Sequence, residues 1–306
     1  MIKQTHRVLL AALAGVLISF FQTNARSAPL LVASNEKSPT EINVGVIPGG
    51  NPEILRTQAL NLAKELQNKI NIPVNIYISK NYAGLVDAMK TKKVDFAFFS
   101  SSTYVFAEQQ AQAKVLLKKV WNHPYYYSAV IVPANSKIKK LEDLKGKTMA
   151  FVDAQSSSGY LYPKVALQKK GMDDKSFKEV IFSGNHSASI ELLEDKKVDA
   201  AAVFSNDEKG KEGAWTKFAK TKQKYRIIWL SAPIPNDPFC VRQDFYDEYP
   251  KITHTLMFSL IDILEQTTDK NAYSEILGTQ NLMPATSKQY DAVREMVKAL
   301  NIELKP

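Results

Sequence analysis

The sequence predicts an α/β protein of two lobes, each built on a mixed, mainly parallel sheet flanked by helices. Two observations carry this. From residue 42 onward, apolar strand-like runs alternate with helix-like stretches, and such alternation gives parallel strands with right-handed crossovers. There is also an internal echo: Lys92-Lys-Val-Asp-Phe-Ala-Phe-Phe-Ser100 is similar to Lys196-Lys-Val-Asp-Ala-Ala-Ala-Val-Phe-Ser205. Each reads as a helix end, a short strand and a serine-bearing loop. Their separation of about 104 residues is too long for a solenoid repeat. It suits two lobes that each offer a strand's C-terminal loop to a shared crevice.

The elements follow in order. Ile42–Ile47 reads as a strand. Asn51 and Pro52 cap and open a helix whose Leu55, Leu62, Leu66 and Ile70 form one apolar stripe. Val74–Ile78 alternates as a strand, a helix runs from about Tyr82 to Lys92, and Val94–Phe99 is the next strand. Tyr127–Val132, and Ile227–Trp229 onward to Cys240-Val241, read as crossover strands. Thr148–Val152 is a buried strand, and Leu161–Lys170 is a helix. Residues 249–304 read as helices with a break near Gly278 and Pro284. No linker rich in Gly, Ser or Pro separates the lobes, so strands and a hinge join them. The boundaries expected are 41–128 with 237–306 for the first lobe and 129–236 for the second.

The amino terminus has a different character. Lys3 and Arg7 precede an apolar run from Val8 to Phe21 that is too short to span a bilayer. Small residues follow at Ala25, Ser27 and Ala28. Residues 1–28 are therefore expected to be a cleavable signal peptide, with 29–40 a mobile leader; the competing reading is a retained anchor. Export fits a Gram-negative-type periplasm. The only cysteine, Cys240, rules out an internal disulfide and leaves none near the cleavage region to carry a lipid. Removing Lys3, Arg7 and Arg26 lowers the formal charge from +9 to about +6. That excess can steer anions or simply solvate a surface, and no basic-aromatic motif points to nucleic acid.

The stretch with the clearest chemistry is Asp153-Ala-Gln-Ser-Ser-Ser-Gly-Tyr160. Three hydroxyls and a glycine stand at a strand-to-helix turn. Free N–H groups at a helix start, joined by serine hydroxyls, form a ready oxyanion site. The alternative is that one serine is an N-cap, although a cap needs one serine and not three. No Gly-x-Ser-x-Gly elbow accompanies these serines, and no phosphate-binding loop of the Gly-x-x-x-x-Gly-Lys type occurs. The four histidines are scattered and have no paired cysteines. These observations argue against an enzyme, a metal site and a resident cofactor.

Several segments resemble the phosphate/phosphite/phosphonate family of ABC-transporter periplasmic substrate-binding proteins, of the phosphonate-binding type. They are Asn81-Tyr-Ala-Gly-Leu85, Pro124-Tyr-Tyr-Tyr-Ser-Ala-Val-Ile-Val132 and Leu141-Glu-Asp-Leu-Lys-Gly-Lys147. Further on come Ser156-Ser-Ser-Gly-Tyr-Leu-Tyr-Pro163, Gly184-Asn-His186 and Ile228-Trp-Leu-Ser-Ala-Pro-Ile-Pro-Asn-Asp-Pro238. The likeness covers about residues 42–300. It implies a two-lobed, type II-like periplasmic binding fold with the ligand in the interlobe cleft. It also implies a monomeric solute-binding component that serves a membrane permease with a separate ATPase subunit. A phosphorus oxyanion, phosphite or a small phosphonate, is the ligand it suggests. A ligand-presenting role for a sensor, or another oxyanion such as phosphate or sulfate, are the alternatives.

The resemblance also carries site residues. It places Ser156, Ser157 and Ser158 on the oxyanion, Tyr82 and Tyr126 on the pocket wall, His186 at a second-lobe helix start, and Asp237 in the Pro-x-Asp-Pro turn. Relatives that take an aminoalkylphosphonate carry a second carboxylate where this chain has Asn206, with Asp207 beside it. The first-lobe loop Phe99-Ser100-Ser101-Ser102 also departs from the family pattern. Ser100 there either adds a donor or caps the following helix.

Overall fold

The computed structural model describes residues 37–301, apart from 48, 49, 223, 270, 271, 274 and 280. The expected signal peptide, residues 1–28, and positions 29–36 of the leader lie outside the described residues.

Strand β1 (Ile42–Val46) pairs in parallel with β2 (Val74–Ile78), and helix α1 (Pro52–Ile70) crosses between them. Asn51 starts α1: its Oδ1 accepts from the N–H groups of Glu53 and Ile54 at 2.9 and 3.2 Å. Leu55, Leu62 and Leu66 share one buried cluster with Ile42, Val44 and Val46, each such side chain contributing roughly 1.5–3 kcal/mol. Asn81 caps α2 (Tyr82–Lys90). Strand β3 (Phe96–Phe98), helix α3 (Ser101–Ala111) and strand β4 (Ala113–Val120) complete this passage.

The chain then enters a second sheet through β5 (Tyr125–Pro133). Strand β6 (Thr148–Phe151) leads into a single π-helical turn, Ser157–Leu161, and then α4 (Tyr162–Gln168). Strand β7 (Glu179–Phe182), α5 (His186–Glu194), β8 (Ala200–Ser205), α6 (Ala214–Phe218), β9 (Tyr225–Leu230) and β10 (Ile234–Pro235) follow. The return brings β11 (Pro238–Arg242), α7 (Gln243–Glu248), α8 (Pro250–Gln266), β12 (Asn281–Pro284) and α9 (Asp291–Ala299).

The strand orders are β12-β4-β11-β3-β1-β2 and β10-β5-β8-β6-β7, with β9 also on β5. The two sheets thus take residues 42–120 with 238–284, and 125–235. Most strands in each sheet share one direction. The exceptions are β11 and β12 in the first sheet and β5 in the second. By neighbouring pairs, parallel contacts are confined to β1–β2, β1–β3, β6–β7 and β6–β8. Strands β5 and β11 explain this: each begins where the chain crosses between sheets, so it runs against strands that end there. In the carboxy-terminal region the break expected near Gly278 and Pro284 contains a strand, β12. β12 pairs antiparallel along β4 from Asn281↔Val120 to Pro284↔Leu117, an edge position where proline is tolerated.

The internal echo has a structural counterpart. Lys92 and Lys196 both adopt left-handed backbone, φ 60° and 56°. Asp95 Oδ2 accepts from the Asn43 N–H at 2.9 Å, and Asp199 Oδ2 from the Thr148 N–H at 2.9 Å. In each lobe an aspartate opening one strand thus clamps the start of its parallel neighbour. One buried cluster runs across both lobes, joining Leu85, Phe99 and Tyr104 with Val130, Phe151, Leu161 and Tyr290. The lobes are therefore packed against each other along this cluster.

Candidate interlobe ligand site

Between the sheets lies a cavity of about 750 Å³. Its walls come from loops at the C-terminal ends of strands and from the two crossings. Tyr82 opens α2 and Ser100 caps α3, while Tyr126 stands on β5 and Asp237 between β10 and β11. His186 opens α5 and Asn206 follows β8. These six, with Ser156 and Ser158, all line the cavity. Ser157 does not belong to that lining. Its Oγ accepts from the Ser102 N–H at 2.9 Å and lies 2.7 Å from Ser102 Oγ, which in turn donates to the Gln155 carbonyl at 2.7 Å. The middle serine of the turn therefore holds the first lobe against the second.

Ser156 and Ser100 are both caps. Ser156 Oγ accepts from the Gly159 N–H at 3.1 Å, and Ser100 Oγ from the Thr103 N–H at 3.2 Å. The cap reading and the site reading thus coexist, because both hydroxyls also border the cavity. The π turn is closed by Leu161 N–H donating to the Ser156 carbonyl at 3.0 Å, and π turns of this kind recur at functional positions. The opening N–H groups of such a turn have no partner within the helix and face an incoming anion favourably.

The electrostatics set neutral donors beside an anchored ion pair at the serine end of the site. Burial pushes the phenols of Tyr82 and Tyr126 well above their ordinary range, so both stay protonated donors. Burial raises the Asp237 carboxyl, opposed by Lys119 and by the Ser101 backbone N–H. Lys119 Nζ lies 3.7 Å from Asp237 Oδ2, whereas Asp237 Oδ1 is buried without a partner. Burial, reinforced by Lys217, pushes His186 down to about 3. Its Nδ1 is buried and unpartnered, and the residue as a whole is half-buried. His186 is therefore a neutral group at neutral pH and brings polarity without charge.

Sequence reasoning did not single out Lys119, Trp121, Glu212, Lys217 or Glu275, which also line the cavity. Two of these pairs bridge the lobes: Lys217 Nζ lies 3.7 Å from Glu275 Oε1, and Trp121 Nε1 donates to Glu212 Oε2 at 3.4 Å. The Asn206 position also becomes clearer. Asn206 N–H donates to the Glu212 carbonyl at 2.8 Å, folding the loop back so that the Glu212 side chain reaches the cavity wall. Asp207 is occupied within the loop, accepting from the N–H groups of Lys209 and Glu212 at 2.8 and 2.7 Å. Among the described residues no group of His, Cys, Asp and Glu could hold a metal ion.

A family model described as the ABC-transporter phosphonate periplasmic substrate-binding protein matches residues 44–290. The chain belongs to this family. The phosphonates-binding periplasmic protein of Escherichia coli K12 is 25% identical over 286 residues, covering 91% of this chain and 82% of that protein. The probable ABC transporter phosphite-binding protein PhnD1 of Prochlorococcus marinus MIT 9301 is 24% identical over 277 residues, covering 86% and 91%. The solved structure of PhnD1 with methylphosphonate superposes with a TM-score of 0.74 at 24% identity, over 86% of this chain and 99% of that one. The two-lobed fold is thus that of periplasmic binding proteins. Membership of this family of transport components implies a small-molecule ligand and a membrane permease with its ATPase.

Proposed function

We propose that this chain captures a phosphorus oxyanion, phosphite or a phosphonate, in the interlobe cleft and presents it to the permease of an importer. Tyr82, Tyr126, Ser156, Ser158 and the opening amides of the π turn supply neutral donors, with Ser100 and His186 as further polar wall. Each hydrogen bond to a charged oxygen is worth roughly 1.5–3 kcal/mol. The observation that carries the reading is Asp237 Oδ1, a buried acceptor with no partner beside an array of donors. An unpaired buried acceptor is costly and calls for a ligand proton. A singly protonated phosphorus oxyanion offers both a P–OH and charged oxygens, whereas sulfate offers no proton near neutral pH and meets repulsion at Asp237.

In this reading Ser157 acts by holding the lobes together, Asn206 borders the ligand's substituent, and no bond is made or broken. Closure of the two lobes around one cavity, enclosed by a single chain, is what a monomeric binder needs. Residues 1–28 direct export and are removed. The test is a thermal-shift and calorimetric panel of phosphite, methylphosphonate, aminoethylphosphonate, phosphate and sulfate. Binding only the folded state raises the melting temperature with concentration. Phosphite or methylphosphonate is expected to shift it; response to sulfate alone would overturn the assignment.

A further inference from the structure

We propose that the phosphorus oxyanion bound by this chain carries an aryl substituent, which seats in an aromatic annex of the same cavity. The inference rests on the reading that the serine end of the cavity holds the oxyanion.

Size is the first argument. A water molecule claims roughly 30 Å³ of liquid, so a cavity of about 750 Å³ has room far beyond a compact oxyanion head. An open cleft would give excess volume trivially, but this cleft is bridged at three places. Ser102 and Ser157 join the lobes beneath the serine turn. Lys217 meets Glu275, and Trp121 meets Glu212, beside the cavity. The volume therefore belongs to lobes already in contact.

The chemistry of the remaining wall is the second argument. Phe204 packs edge-on against His186, with ring centroids 5.0 Å apart and planes at 77°. It packs edge-on against Phe218 as well, at 6.2 Å and 84°. The Lys217 ammonium sits 5.0 Å from the centre of the Phe218 ring. Trp121 and Leu277 also border this space. A run of rings set edge to face offers ring faces and edges to a further aromatic group, and aromatic walls with a few polar groups are what organic ligands occupy. Lys217 is taken up by Glu275, and Glu212, which accepts from the Trp121 N–H, repels a second anionic group there. The substituent is thus aromatic and bears no second negative charge.

Calorimetry on the mature chain with methylphosphonate, benzylphosphonate and phenylacetate tests this. Benzylphosphonate is expected to bind about tenfold or more tightly than methylphosphonate, the gain from burying the ring, and phenylacetate weakly. Phe218→Ala, and separately Trp121→Ala, should bring the benzyl-to-methyl affinity ratio several-fold closer to one. Thermal melts would check that each variant is folded, and the wild-type ratio decides the matter if neither is. Methylphosphonate binding as tightly as benzylphosphonate overturns the annex while leaving the oxyanion reading intact. Failure of both phosphonates, or equal binding of phenylacetate, overturns the oxyanion reading and the annex with it.

Discussion

The backbone N–H of Ser102, in the first turn of α3, donates to Ser157 Oγ at 2.9 Å, and the two hydroxyl oxygens are 2.7 Å apart. One residue belongs to the first lobe and the other to the π turn of the second. Both are fully buried. The bond therefore exists only when the lobes meet, and it lies under the same turn whose outer serines border the cavity.

Ser157→Ala should weaken ligand binding by roughly tenfold. In the closed form it leaves the Ser102 N–H buried without its partner, a cost of about 1–3 kcal/mol, while Ser102 Oγ keeps its bond to the Gln155 carbonyl; in the open form that N–H meets water. Closure is thus disfavoured even though no cavity-lining hydroxyl has been removed. Calorimetry should show the weaker binding, and small-angle scattering a larger radius of gyration. Unchanged affinity with unchanged dimensions would show that the pair does not hold the lobes.

Asp237→Asn should flatten the pH dependence of binding. In the proposed mode Asp237 Oδ1 accepts a hydrogen bond from the ligand's P–OH, so affinity should fall by about tenfold per pH unit above the ligand's second ionisation, where binding must take up a proton. Affinity also falls on the acid side, as pH drops through the raised carboxyl titration, because a protonated Asp237 no longer accepts. Asparagine removes both limbs and admits the fully ionised ligand through its amide N–H. Calorimetric titrations from pH 5 to 9 check this; a bell retained in the variant would place the proton elsewhere.

Much of this architecture was legible because it is written in local chemistry. The period-two run of Val74–Ile78 became β2 with those bounds, and Asn51-Pro52 opened α1. The paired Lys-Lys-Val-Asp segments became equivalent clamps in the two lobes. The serine turn stood out because three hydroxyls exceed what a cap requires. What escaped notice depends on distant neighbours. Lys119 looks like one more strand lysine beside Lys118 until Asp237, more than a hundred residues on, is brought beside it. Glu212 and Glu275 sit in loops whose local sequence has no periodicity to read, and β12 is defined only by its pairing with β4. The π turn differs from an α turn only in which carbonyls its amides reach, Leu161 N–H to Ser156 and Tyr162 N–H to Ser157, and composition does not encode that.

His186→Gln should reduce acid sensitivity. The imidazole is pushed down to about 3 from an unfolded value near 6.5, so between those values the unfolded chain binds a proton that the folded chain refuses. Stability is complete above about pH 6.5 and is lost as pH falls toward 3, by at most about 1.4 kcal/mol per pH unit. The slope is smaller in practice because His186 is only half-buried as a residue and borders the cavity. Glutamine keeps a polar side chain without titrating. Denaturant melts between pH 4 and 7 should show a shallower decline in the variant; identical slopes would mean that His186 protonates freely in the fold.

Gly159→Ala should destabilise the fold by about 1–3 kcal/mol and weaken binding with it. A Cβ at Gly159 would lie 2.4 Å from Val152 Cγ2, 2.5 Å from Val152 Cβ and 2.8 Å from Ser156 Oγ. Val152 follows β6 and is fully buried. Its β-branched side chain has little rotameric freedom, and its Cβ is fixed to the backbone. Relief must then come from the turn itself, displacing the Ser156 hydroxyl that caps it and borders the cavity. Val152→Ala removes the two Cγ atoms, so the double variant should recover part of both losses. Neighbours that share a clash are non-additive in this way. Urea unfolding and calorimetry on the two single variants and the double variant complete the cycle. Strict additivity would mean that the close approach of Val152 is not what requires glycine at 159.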